Sequence, residues 1–217
     1  MQNKRRIIAA LCILLMAVCG MGFAIAHSDD PWSWLGREQS QIDAWDEKDE
    51  IVAYVNGEAV TKGELLFWQN MFEYGNHVGS GTEQPTDAKT VFHEHIVPFK
   101  AAVVMAKKEG LWPTPAETEA HIAQVRQSFE VANEEVKEQF SRYLSALGLS
   151  EKEYFEEYAF GYYREALAAG KYRERLALQL DVDGKAPHEV WDRITAHLKK
   201  KAEVEMVHPL VQSTEPD

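Results

Sequence analysis

The sequence predicts a mainly α protein: a multi-helix domain whose N- and C-terminal ends are joined by a small β clasp of two or three strands. Three observations carry that reading. Apolar residues recur at three- and four-residue spacing through most of residues 62 to 198, the period of helices with one buried face. Helix-start signatures of the form Ser/Thr-x-x-Glu stand at Thr61, Thr114 and Ser150. Residues 51 to 55 and 202 to 207 instead have strand character, the first rich in Val and Ile, the second alternating apolar and acidic.

The chain opens with Lys4, Arg5 and Arg6, followed by an uncharged apolar run to Ala26. A basic start, an apolar run and Ala24-Ile25-Ala26 before His27 form a secretory signal with an A-x-A cleavage site. The run is also nearly the roughly 20 residues that span a bilayer. Residues 1 to 26 are therefore expected to be a signal peptide or an N-terminal membrane anchor. In both cases the basic residues stay cytoplasmic, and the rest of the chain is exported, secreted or held at the membrane through residues 7 to 26. A lipoprotein cysteine at Cys19 is a third option, with the departure that Val18 precedes it.

Cys12 and Cys19 both lie in this segment, so the exported part has no thiol for a disulfide or a metal site. The whole chain carries −12; with the three leading cations removed the exported part carries −15. That charge disfavours nucleic acid and anionic lipid head groups.

Residues 27 to 50 read as a tether with a short helix over 39 to 45. Trp32 and Trp34 suit either a bilayer interface or packing on the domain. Residues 51 to 55 form a strand, and Asn56-Gly57 supplies the two positive-φ residues of a tight hairpin turn. Thr61 and Glu64 then make a capping box, starting a helix at Lys62 that runs to about residue 74 with Leu65, Trp68, Gln69 and Phe72 on one face. Residues 75 to 87 are a long Gly-rich loop.

A second helix covers residues 88 to 109, and Pro98 within it predicts a kink. Thr114-Pro115-Ala116-Glu117 caps a third helix, ending near residue 129. A fourth spans 133 to 146 and stops at Gly148. Ser150 and Glu153 cap a long helix over 151 to 180. Residues 181 to 186 are a linker, and Pro187 opens the last helix. Residues 202 to 207 return as a strand whose natural partner is 51 to 55. The tail, 208 to 217, reads as disordered.

Several of these stations together resemble a family. Val52-Ala53-Tyr54-Val55-Asn56-Gly57-Glu58-Ala59-Val60-Thr61-Lys62-Gly63-Glu64-Leu65 resembles the opening of the N-terminal chaperone module of SurA/PrsA/PpiD-type extracytoplasmic foldases. Ala106-Lys107-Lys108-Glu109-Gly110-Leu111-Trp112-Pro113-Thr114-Pro115-Ala116-Glu117 and Leu147-Gly148-Leu149-Ser150-Glu151-Lys152-Glu153-Tyr154-Phe155 are similar to two later steps of that module, in the same order. The resemblance covers residues 51 to 207 and implies a SurA N-terminal-like helical chaperone domain. It also implies binding of unfolded or exported polypeptides. In the full foldases a parvulin prolyl-isomerase domain sits between the long helix and the returning one. Here only residues 181 to 186 stand there, and no parvulin Gly-rich or F-S-x-x-x-S motif occurs. The expectation is a chaperone without isomerase activity. The alternatives are a module docking one specific partner at the cell surface and, third, a residual prolyl isomerase.

Other chemistry finds little footing. His93-Glu94-His95 places two imidazoles about 200° apart on a helix, so they do not share an ion. No catalytic, metal or cofactor site is expected. The unusual feature is aromatic content on separate helices, flanked by adaptable methionines. Trp68, Phe72, Met105, Phe155, Tyr158 and Tyr162 are the residues expected to line a client-binding cradle, with core packing as the competing role.

Overall fold

The computed structural model describes residues 30–78, 86–180 and 185–212. The molecule is mainly α with a small three-stranded antiparallel sheet. β1 (Ile51–Val55) and β2 (Glu58–Thr61) form a hairpin, and β3 (Val204–Met206) adds to the other side of β1, giving the order β2-β1-β3. Asn56 and Gly57 take φ of 51° and 83°, the left-handed conformations of a tight turn. Asn56 has a second role. Its N–H donates to the Glu203 carbonyl at 2.7 Å, and its side-chain oxygen accepts the Glu203 N–H at 2.8 Å. One residue thus makes the turn and fastens the returning strand. Pairing sets Ala53 opposite Met206 and Val55 opposite Val204, so both ends of the domain close on β1.

The segment expected as a tether is a helix, α1 (Pro31–Ala44), capped by Asp30, whose carboxylate accepts the Ser33 N–H at 3.0 Å. It has a folded partner, α5 (Glu134–Leu147). Gly36 makes the approach: a Cβ there would lie 2.6 Å from the Tyr143 carbonyl oxygen and 2.7 Å from the Ala146 Cβ. Trp32 packs edge-on against Tyr74 and Tyr143, at 5.2 and 6.1 Å, and Trp34 lies 5.0 Å from His77. Both indoles are on the domain. The expectations for residues 1 to 26 fall outside the described residues, as does most of the 75-to-87 loop.

α2 (Lys62–His77) starts where expected, with Thr61 accepting the Glu64 N–H at 3.2 Å. The reciprocal half of the expected capping box differs. The Glu64 carboxylate is 3.0 Å from Lys100 Nζ, because a buried ammonium competes for it more strongly than a backbone N–H. α2 also runs three residues beyond its expected end, where Tyr74 and Gly75 are buried. α3 (88–108) is α-helical at Ala88–Val91 and Val97–Lys108, with a π turn at Phe92–Ile96. The Val97 N–H reaches back five residues to the Phe92 carbonyl. Pro98 lacks the N–H that regular winding needs, and the extra residue per turn absorbs the mismatch that the sequence marked as a kink.

α4 (Pro115–Glu130) and α6 (151–179) begin at the two remaining capping boxes, with Thr114–Glu117 and Ser150–Glu153 each bonded in both directions. α6 is α-helical at Glu151–Glu153 and Phe160–Gln179, with a π turn at Tyr154–Tyr158 between. α7 (Pro187–Lys201) leads to β3. Beyond β3 the chain is ordered through a 3-10 turn, Pro209–Val211. The Val207 and His208 N–H groups both donate to the Val52 carbonyl, and Val211 is fully buried. The tail expected as disordered is therefore held, up to Gln212, by one apolar side chain in the core.

Two cores result. The sheet, α3, the later part of α6 and α7 enclose Val52, Val55, Leu65, Phe92, Ile96, Val103, Leu176, Leu198 and Val211. α1, α4, α5 and the start of α6 enclose Leu35, Tyr74, Ile122, Val125, Phe140, Leu144 and Phe155. α2 and α6 run through both, and the candidate site lies where they cross α3.

Candidate functional site

The candidate site is a wall of aromatic rings on α2, α3 and α6. Phe67 and Trp68 adjoin on α2, with ring centroids 6.4 Å apart; Phe72, one turn on, stacks with Trp68 at 6.2 Å. Across from them Phe99 of α3 meets Trp68 edge-on at 5.4 Å. Tyr162 of α6 completes the set, 5.6 Å from Phe67 and 6.5 Å from Phe99. Helical spacing on α2 brings residues 68 and 72 to one face. Only the crossing of three helices brings Phe99 and Tyr162 to them. Phe99 is buried, whereas Phe67, Trp68, Phe72 and Tyr162 keep part of their surface in water.

The wall has a charged edge on each side. Beneath it Lys100, 6% exposed, has Glu64 at 3.0 Å and Glu165 at 3.4 Å. Burial opposes its charge, but the two carboxylates outweigh burial and hold the ammonium above its ordinary range. On the other side Arg173 of α6 lies over the Phe99 ring at 5.9 Å and over the Trp191 ring of α7 at 4.7 Å. Trp191 is 41% exposed and extends the apolar surface past Arg173.

Of the residues expected to bind a client, the fold brings Trp68, Phe72 and Tyr162 together. Met105 packs half-buried against the sheet-side core on α3. Phe155 and Tyr158 belong elsewhere. Phe155 is fully buried in the second core, among Phe129, Phe140, Tyr154 and Tyr163. It lies within the π turn, Tyr154–Tyr158. Tyr158 is 37% exposed, but its hydroxyl donates to Asp43 at 2.8 Å and also bonds Gln39, so it ties α6 to α1. Phe67, Phe99, Arg173 and Trp191 stand outside the expected set. Phe67 was legible as an aromatic beside Trp68; Arg173 of α6 and the Trp191 ring it contacts on α7 had no signal without knowing that the helices pack there.

His93-Glu94-His95 falls in the π turn of α3, and its three side chains part company. The His93 ring bonds the Val211 carbonyl, Glu94 pairs with Lys199 at 2.5 Å, and His95 packs on Phe72 at 4.0 Å. Among the described residues no group of three His, Cys, Asp or Glu is placed to hold a metal ion, and no helix is long and apolar enough to cross a membrane.

Fold and site together define a clasped helical module carrying a half-open aromatic surface. No family model matches the chain, and neither a curated protein nor a solved structure matches it.

Proposed function

We propose that the protein is an extracytoplasmic chaperone-like module that binds unfolded or exported polypeptides, of the SurA/PrsA/PpiD N-terminal type and without prolyl-isomerase activity. The observation that carries the reading is the wall of Phe67, Trp68, Phe72 and Tyr162, where four large rings from two helices stay partly in water, Trp68 and Phe72 with their backs against the sheet-side core. Aromatic area left in water on a rigid scaffold captures apolar segments with little demand on their sequence. The net charge of −15 beyond the leader keeps a protein with such a surface soluble. No nucleotide or metal enters this mechanism. Binding is driven by burial of client side chains, and release by competition from the client's own folding.

The test is suppression of aggregation of several unrelated unfolded proteins by the purified protein. Trp68→Ala is expected to weaken suppression severalfold while costing about 1–2 kcal/mol of stability, since only part of the ring is removed from water on folding. Loss of suppression only in step with unfolding would make Trp68 a core residue. Suppression of no client at all would sink the reading. Acceleration of a proline-limited refolding reaction would overturn the claim that isomerase activity is missing.

A second reading has its own support. β3 is an edge strand, and its Val204 and Met206, with Val207 beyond, are 37%, 38% and 50% exposed. Such an edge suits one partner that adds a strand. Met206→Lys would abolish binding of that partner and leave general aggregation suppression intact.

A further inference from the structure

We propose that Arg173 makes the aromatic wall selective for polypeptide segments in which a single acidic side chain is flanked on both sides by apolar residues. The inference rests on the polypeptide-binding reading and adds to it the chemistry of the preferred segment.

The observation is a guanidinium without a counterion among the described residues. Arg126, Arg142 and Arg175 each have a carboxylate within 4.0 Å, and so does the buried Lys100. Arg164, also stacked on an indole, donates to the Pro113 carbonyl at 2.9 Å. Among the described residues Arg173 has no such partner; its neighbours are the rings of Phe99 and Trp191. Burial dominates its ionisation and pulls its pKa down to about 10, with the Tyr162 hydroxyl pulling weakly the other way. A half-buried cation with no protein acceptor among the described residues is placed to take one from a ligand.

The geometry specifies that acceptor. Its neighbours are two rings, which leave its N–H groups without a carboxylate or carbonyl acceptor among the described residues. A carboxylate fits the N–H edge of a guanidinium with two parallel hydrogen bonds. The surroundings specify the rest. Acid-rich segments are repelled by a chain that carries −15 beyond its leader. Wholly apolar segments would cover Arg173 and leave its charge unpaired. One carboxylate among apolar residues avoids both costs. Arg173 adjoins apolar surface from two further helices: the part-exposed Trp68 of α2, which packs on Phe99, and the exposed Trp191 of α7. That fits a mid-chain side chain with apolar neighbours in both directions, and leaves half the surface unused by a chain terminus.

Three labelled peptides on one aromatic and leucine-rich frame decide the matter with the full-length protein. The first has a central Glu and blocked ends, the second a central Gln and blocked ends, and the third a central Gln and a free C-terminal carboxylate. The Glu peptide is expected to bind about tenfold tighter than the blocked Gln peptide, the size of one charge-assisted pair. In Arg173→Gln that ratio is expected to fall to about one, with the Gln peptide little changed; Arg173→Lys keeps part of it. Circular dichroism and thermal melting check both variants, and the ratio on the unaltered protein stands whether or not they fold. Equal binding of the Glu and Gln peptides overturns the inference and leaves the polypeptide-binding reading in place. Tightest binding by the free C-terminus overturns the assignment to a side chain. No binding by any peptide overturns both.

Discussion

The protein has two aromatic clusters built on the same two helices, and they end up with opposite characters. α2 contributes Tyr74 to one and Phe67, Trp68 and Phe72 to the other; α6 contributes Phe155 to one and Tyr162 to the other. The second-core cluster is enclosed by α1, α4 and α5. Phe129 stacks on Phe140 at 4.4 Å, Phe155 is fully buried, and the hydroxyls of Tyr143 and Tyr163 each bond that of Tyr154. The wall has α3 behind it, and its front rings keep contact with water. Similar residues on the same scaffold thus become core or surface according to what the rest of the chain lays across them. Charge follows the same division: among the described residues Lys100 beneath the wall has two carboxylates, while Arg173 at its edge has none.

The comparison breaks first at Phe155. Phe155→Ala removes a fully enclosed ring and is expected to cost about 3–5 kcal/mol, read from urea unfolding, with client binding lost only as the fold is lost. A cost below about 1 kcal/mol would mean that the second cluster is as open as the wall. Next is the lid formed by α1. Gly36→Ala places a methyl group against the Tyr143 carbonyl and Ala146. It is expected to cost about 1–3 kcal/mol, as overpacking does, and to shift the Trp32 and Trp34 emission toward that of exposed indoles. Unchanged emission and melting would show that α1 does not close this cluster.

The smallest effect is with pH. Burial holds His93, His95 and His121 below the ordinary imidazole value. The unfolded chain therefore takes up protons at pH values where the folded chain does not. Stability from these residues is complete above about pH 6.5 and is lost as pH falls below it, through the folded values. His95 packs on Phe72, so His95→Gln is expected to flatten the decline between pH 6.5 and 5. Glu117 answers in a lower window. Lys171 and the Thr114 cap hold it at about 2, so its contribution is present above 4.5 and is lost between 4.5 and 2. An unfolding midpoint that does not move between pH 7 and 5 would contradict the burial of the three imidazoles.

Much of the fold was legible because it is written in local chemistry. Asn56-Gly57 is a turn because both residues tolerate positive φ. Thr114 and Ser150 start helices because their hydroxyls and the following glutamates satisfy free backbone N–H groups. Pro98 disturbs α3 because it has no N–H. The period-two pattern after residue 202 marked a strand because successive side chains alternate faces. These effects act over a few residues, and the sequence by itself determined them.

What only the tertiary structure decided lies between residues far apart in the chain. Residues 31 to 44 looked like a polar tether because their helical pattern is weak; docking through Gly36 onto α5 is what makes them a helix of the domain. Glu64 was equally suited to cap its own helix, and the arrival of Lys100 redirected it. The site divides in the same way. Trp68 and Phe72 were readable as neighbours from helical spacing, but Tyr162 and Phe99 joined them only through the crossing of α2, α3 and α6. Phe155 and Tyr162 have similar local sequence credentials. A covering layer of helices buries the first and leaves the second at the wall, because burial depends on which surfaces meet, and short-range sequence patterns carry no record of that.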